Sequence, residues 1–226
     1  MSPKMVLVLV AIFSWLATVA ITVTVLTIGP FTGPNVGELT LVAEEQATGA
    51  DKPLPRYGLA PVFELTDQLG RPFGLNDLRG KVWAVDTIFT RCNAICPTLT
   101  SGLADIQDAV RMDEDLAGRV ILVSLSIDGG HDTPQVLKRF ADGYKADHER
   151  WRFLTGGRDV VWPLIQDGLK LPVEEAGPDD DMAILHSGKL VLIDEAGVIR
   201  GYYDGLSDAG RIDLLVDLRR LLKVSN

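Results

Sequence analysis

"KVWAVDTIFTRCNAICPTLTSGLADIQDAV", Lys81 to Val110, holds both cysteines of this 226-residue chain. Lys81–Phe89 is apolar and rich in β-formers, which predicts a buried strand. Beyond the cysteines, Leu99, Leu103, Ile106 and Val110 recur at helical spacing, with Pro97 placed to open the helix. Cys92 and Cys96 stand four apart, so within a helix they would share a face. The residue before a proline avoids the α conformation, however. Both cysteines are therefore expected in a loop that turns into the helix. Backbone N–H groups and the helix dipole at that point favour thiolate and are expected to lower the thiol pKa.

Two close thiols with none elsewhere can be a structural disulfide, a redox dithiol or a metal clamp. As a staple the pair is poor, because so short a loop removes little chain entropy. Redox exchange normally uses C-x-x-C; here three residues intervene and open the bite between the sulfurs. Two soft thiolates with an adjustable bite suit Cu(I), and imidazole is the obvious third donor. Of the three histidines, His131 lies in a Gly-Gly-His-Asp loop and His148 in "KADHERW". Both read as solvated surface residues. His186, in "MAILHSGKLVLID", is expected in a loop just before a central strand, from which it could return to the cysteine edge. Met182 reads as a packed or exposed side chain rather than an auxiliary donor.

Outward from this unit, Pro61–Gly80 alternates around Gln68-Leu69-Gly70 and predicts a β-hairpin. Arg119–Asp128 is a second buried strand, and Thr133-Pro134 opens an amphipathic helix. "WRFLTG" is a short strand. Asp159–Leu169 is helical, with Pro163 tolerated only in its first turn. "KLVLID" and "GVIRGYYD" flank Glu195-Ala196-Gly197 as a hairpin. Ser207 caps a closing helix through Lys223. The order predicts an α/β domain with a central mixed sheet flanked by helices. Strand, cysteine motif and helix at a strand's carboxyl end form the thioredoxin arrangement, and ligand chemistry in such sheets gathers at that edge.

Met5–Ile28 is a run of 24 residues without a charge. As a helix it would span about 36 Å, enough to cross a bilayer core. A cleaved signal peptide has a shorter apolar region, and Ala17–Ala20 offers only a weak cleavage site. Residues 1–28 are therefore expected to be an uncleaved N-terminal transmembrane helix, with Lys4 holding the N-terminus in the cytoplasm. No room precedes Met5 for an Arg-rich transit peptide, which favours a bacterial inner-membrane protein with its soluble part in the periplasm. Residues 29–56, rich in Gly, Pro and Glu, read as a tether, and 57–226 as one domain. The formal net charge of −9 disfavours nucleic acid as a partner.

"FTRCNAICP", "SLSIDGGHDTPQVLKRFA", "FLTG" and "LHSGKLVLIDEAGVIRGYY" resemble, in that order, the Sco (SenC) family. The similarity runs from about Tyr57 to the C-terminus. The family has C-P-x-x-C-P where this chain has Asn93-Ala94-Ile95 between the thiols. It has D-P where this chain has Asp128-Gly129, and D-H-S where this chain has Leu185-His186-Ser187. The resemblance implies a thioredoxin-like fold with an inserted hairpin and copper held by Cys92, Cys96 and His186. It also implies a role in assembling the CuA centre of cytochrome c oxidase. The implied partner is the subunit carrying that centre, or another copper chaperone. Cu(I) is the implied cargo, with Cu(II) left open. The alternative is a thiol–disulfide oxidoreductase in which Cys92 and Cys96 are the redox dithiol. A peroxiredoxin-like peroxidase is disfavoured, because the residues before Cys92 lack P-x-x-x-T-x-x-C.

Overall fold

A computed structural model describes residues 52–175 and 184–224. The expected membrane helix, most of the tether and Met182 lie outside the described residues. No helix among the described residues is long and apolar enough to cross a membrane.

The chain forms β1 (Gly58–Leu59), β2 (Glu64–Asp67), β3 (Pro72–Gly74), β4 (Val82–Ile88), α1 (Cys96–Met112), β5 (Val120–Ser126), α2 (Pro134–Gly143) and β6 (Trp151–Thr155). There follow α3 (Arg158–Pro163), β7 (Val173–Glu175), β8 (Ile184–His186), β9 (Lys189–Ile193), β10 (Val198–Asp204) and α4 (Asp208–Val224). One mixed sheet has the order β1-β10-β9-β4-β5-β6-β2-β3, and β7 pairs with β8 separately. β4, β5 and β6 are parallel neighbours, and β9 runs antiparallel to β4 on its other side. Two successive crossovers step the same way across the sheet. Their shared right-handedness sets α1 and α2 on one face, and α4 packs against α1 there.

All seven residues of β4 are buried, as its apolar run predicts. Val82, Val85 and Ile88 are each at most 1% exposed. Burying such a side chain contributes about 1.5–3 kcal/mol before ordering entropy is counted. The hairpin expected at 61–80 is β2–β3. Asp67 builds its turn by accepting from the Leu69 and Arg71 amides, both at 2.9 Å. The Ser207 cap also forms, its hydroxyl accepting from the Gly210 amide at 3.2 Å. The fold reaches back to Leu54, which is buried and whose carbonyl accepts from Arg200 Nη2 at 2.7 Å.

Pro163 departs from expectation. It ends α3 instead of lying in its first turn. The ring has no N–H to continue the α ladder, and the chain goes on as a π turn over Leu164–Gly168, where the Leu169 amide meets the Leu164 carbonyl at 3.0 Å.

Gly129 has a packing reason. A Cβ there would stand 1.9 Å from the Gly156 carbonyl oxygen, a backbone atom that cannot swing aside. Gly129→Ala should therefore lower stability by about 1–3 kcal/mol, the usual cost of overpacking. Urea denaturation checks this, and an unchanged midpoint would show that the 128–130 and 155–157 segments yield easily.

Candidate metal centre

The site forms where β4 ends. Asp132, wholly buried before α2, ties down the segment that leaves the strand. It accepts from the Thr90 amide at 3.0 Å, the Thr90 hydroxyl at 2.5 Å and the Ser126 hydroxyl at 2.6 Å. Arg91 grips Asp128 through two nitrogens at 2.6 and 3.1 Å. The Cys92 amide then closes a turn onto the Phe89 carbonyl at 3.1 Å. The aspartates of "DGGHDTP" thus fix the loop that presents Cys92. Asp128, His131 and Asp132 also lie close together, but Arg91 and these hydroxyls already occupy the two carboxylates.

Cys96 is the first residue of α1 and not part of the preceding loop, with Pro97 one place further in. Proline is compatible with the first turn, whose N–H groups have no helical partner. Both cysteines are free thiols and buried. Asn93 and Ala94 are exposed and Ile95 leans on the core, so the departures between the thiols do not alter the donors. Leu185 is likewise 37% exposed.

The antiparallel register Val85↔Val191 carries the start of β9 to the far end of β4. His186, three residues earlier, therefore comes over the cysteines. It ends the short strand β8 instead of lying in a free loop. Its Nε2 is 3.3 Å from Cys96 Sγ. Its Nδ1 is 3.1 Å from the Ser187 carbonyl and 3.2 Å from the Thr87 hydroxyl. A proton on Nδ1 satisfies the carbonyl and leaves the Nε2 lone pair facing the sulfurs. Phe89 packs edge-on to the ring, with centroids 5.7 Å apart.

The donor atoms of Cys92, Cys96 and His186 all lie within 4.8 Å of one another. Two sulfurs on one ion at about 2.3 Å each can stand at most about 4.6 Å apart. The three donors therefore need little movement to share a cation. His131 bonds Asp132 at 3.0 Å, and His148 lies between Asp142 and Gln68 at 2.8 and 3.1 Å. Neither histidine is brought to the sulfurs, and His148 is half-buried and bonded instead of freely solvated.

Electrostatics reverses one expectation. Burial pushes the Cys96 thiol far above its usual range; a bond with the Phe89 backbone opposes this only in part, while Cys92 and Asp86 add to it. The helix terminus does not win, so metal-free Cys96 is a thiol. Burial also lowers the His186 pKa, against the opposing effect of the Ser187 carbonyl. The imidazole is thereby kept neutral, the form that ligates metal.

The sequence profile described as SCO1/SenC matches residues 52–223. A Stutzerimonas stutzeri protein named for a suggested copper-binding property is 32% identical over 150 residues, 66% of this chain and 71% of that one. The solved structure of a SCO1/SenC family lipoprotein from Bacillus anthracis is 32% identical, with a TM-score of 0.67 over 76% of this chain and 99% of the other. BsSco is described as a member of the Sco family of cytochrome c oxidase assembly proteins with a disulfide switch. It is 26% identical, with a TM-score of 0.66 over 76% of this chain and 98% of that one. Because the profile covers well over half of the sequence, the chain belongs to the SCO1/SenC family.

Proposed function

We propose that this protein is a copper metallochaperone that delivers its metal to the CuA site of cytochrome c oxidase during assembly. It would work from a membrane anchor in residues 1–28 and a tether in 29–56, with the domain in the periplasm of a bacterium. The observation that carries the reading is the convergence of two thiols and a neutral imidazole, with Nε2 3.3 Å from Cys96 Sγ. This soft donor set is suited to Cu(I). The copper-related name of one relative and the oxidase-assembly role of another support it. Copper here is cargo. Cys92 lies nearer the surface than Cys96, at 8% against 0% exposure, so an acceptor's thiolate would displace Cys92 first and Cys96 last.

Titration with Cu(I) under reducing conditions, against a competing chelator, tests this. One equivalent bound tightly is expected; no tight equivalent would remove the reading.

The closeness of two free thiols favours a second role, as a thiol–disulfide oxidoreductase for the acceptor's cysteines. The Cys92 thiolate would attack the acceptor's disulfide, forming one mixed S–S bond and releasing one acceptor thiolate. Cys96 would then attack Cys92, releasing the second thiolate and leaving a Cys92–Cys96 disulfide. The acceptor gains the two electrons that the dithiol loses. The raised Cys96 pKa keeps its thiolate fraction low before this attack.

A further inference from the structure

The end of the domain opposite the thiols carries an apolar patch that no described element covers. Val62, Leu59 and Tyr57 are 89, 71 and 58% exposed. Tyr57 packs edge-on to Tyr202, with ring centroids 5.3 Å apart, and Leu59, two residues on, shares its face of the sheet. Leu59 and Val62 rim a groove of about 500 Å³ lined by Leu75, Leu78 and Trp83, with Arg79 at its edge. Trp83 lies at the start of β4 and the thiols follow its other end. At about 3.3 Å per residue, groove and thiols are roughly 20 Å apart along the strand. Single exposed apolar residues such as Met112 and Val160 call for no partner, whereas a contiguous patch marks a docking surface.

Charge and chain path indicate what docks there. The stretch 52–81 carries five basic and three acidic residues in a chain whose net charge is −9. This end, and not the acidic remainder, therefore suits an anionic surface. Arg56, next to Tyr57, and Arg79 are exposed and form no salt bridge among the described residues. The acidic groups beside the groove are engaged: Glu195 meets Arg119 at 3.4 Å, and Asp77 accepts from the Gly74 amide at 2.8 Å. Residues 29–51 lead to the patch from the N-terminal apolar run. A flexible segment of that length averages about 24–29 Å end to end, against roughly 40 Å for the diameter of a domain of this size. The chain that enters at Lys52 thus brings this end to the bilayer ahead of the rest, at high effective concentration. Tyrosine is also favoured at the headgroup level. A second copy fits poorly, because the β1 edge is only two residues long.

We propose that this patch docks on an anionic lipid bilayer: Tyr57, Leu59 and Val62 enter the headgroup layer, Arg56 and Arg79 meet lipid phosphates, and the thiols are turned away from the membrane. This rests on the reading of residues 1–28 as an anchor. The tether alone would leave the domain free to present any face to the lipid; the patch selects one.

The test uses the reduced full chain in nanodiscs of phosphatidylethanolamine and phosphatidylglycerol, with a small share of lipid carrying a gadolinium chelate on its headgroup. Methyl NMR reads which side chains approach the lipid. Leu59, Val62 and Leu75 should broaden most, while Leu185 beside His186, Leu206 and Val160 stay sharp. Val62→Asp should lower the ratio of docked to free domain about tenfold or more, read as lost broadening at Leu59 and Leu75. Because Val62 is 89% exposed, the fold should survive, and unchanged signals of buried Val85 and Val123 check this. Arg79→Gln should lower the ratio about fivefold in these discs and leave it unchanged in discs of phosphatidylcholine. Broadening spread evenly over the exposed methyl groups, or unaltered by Val62→Asp, would overturn the docking. Shielding of the patch that grows with the number of chains per disc would assign it to a second copy and overturn it equally. Release of the chain from vesicles of the same lipids by alkaline carbonate would instead overturn the anchor reading, and the orientation with it. Even broadening of a chain that resists carbonate would leave the anchor standing and remove the docking alone.

Discussion

Replacing His186 with alanine is expected to weaken Cu(I) binding by about 100-fold or more, since loss of an outer-shell partner alone commonly costs about 10–100-fold. The cysteines would remain, and two thiolates still hold Cu(I), so stoichiometry should survive while affinity falls. The expectation rests on a ring that is already aimed, with Nδ1 bonded to the Ser187 carbonyl and Nε2 facing Cys96. Little reorganisation is needed, so the full value of the third bond should appear in the affinity. Thr87→Val, which removes only the hydroxyl 3.2 Å from Nδ1, should fall at the lower end of that range. Because burial lowers the His186 pKa, protonation competes with copper only at more acid pH than for an ordinary imidazole. The gap between wild type and His186→Ala should therefore persist below about pH 6.5. Chelator competition across pH measures it. A variant within a few-fold of wild type would mean that the imidazole does not bind the metal, and thiol chemistry alone would remain.

The sequence spoke clearly where one local pattern sufficed. The apolar run before Cys92 could only be a buried strand, and Leu99, Leu103, Ile106 and Val110 make the buried stripe of α1 as their spacing requires. His186 was different. Nothing around it marks it as a ligand, and only the order of motifs across the chain singled it out. Its approach to Cys96 depends on β9 lying antiparallel beside β4, a pairing between residues about a hundred positions apart. The thiol pKa was misjudged because a sequence shows a helix terminus but not its burial. At Cys96 desolvation outweighs the dipole. Asp86 escaped notice for the same reason: one acidic residue in an apolar run does not reveal whether its oxygens find partners.

Asp86→Asn should stabilise the reduced, metal-free protein, and more strongly as pH rises. A folded-state pKa of about 7 against 3.8 for the ordinary carboxyl means that the folded chain holds this proton more tightly than the unfolded chain. The contribution is fully present below about pH 3.8, is lost as pH rises, and is gone above about 7. At 1.36 kcal/mol per pKa unit, the cost is about 4 kcal/mol at pH 8, where the buried group is ionised, and about 2 kcal/mol at pH 5, where folding must keep it protonated. Asparagine matches the shape and carries no charge to desolvate, so the variant should gain stability by about those amounts. Urea denaturation at the two pH values measures this. A gain that does not change with pH would show that the folded Asp86 carboxyl ionises like that of the unfolded chain, already below pH 5. A buried ionisable residue that weakens the core of β4 is the kind of feature for which stabilising substitutions are readily found.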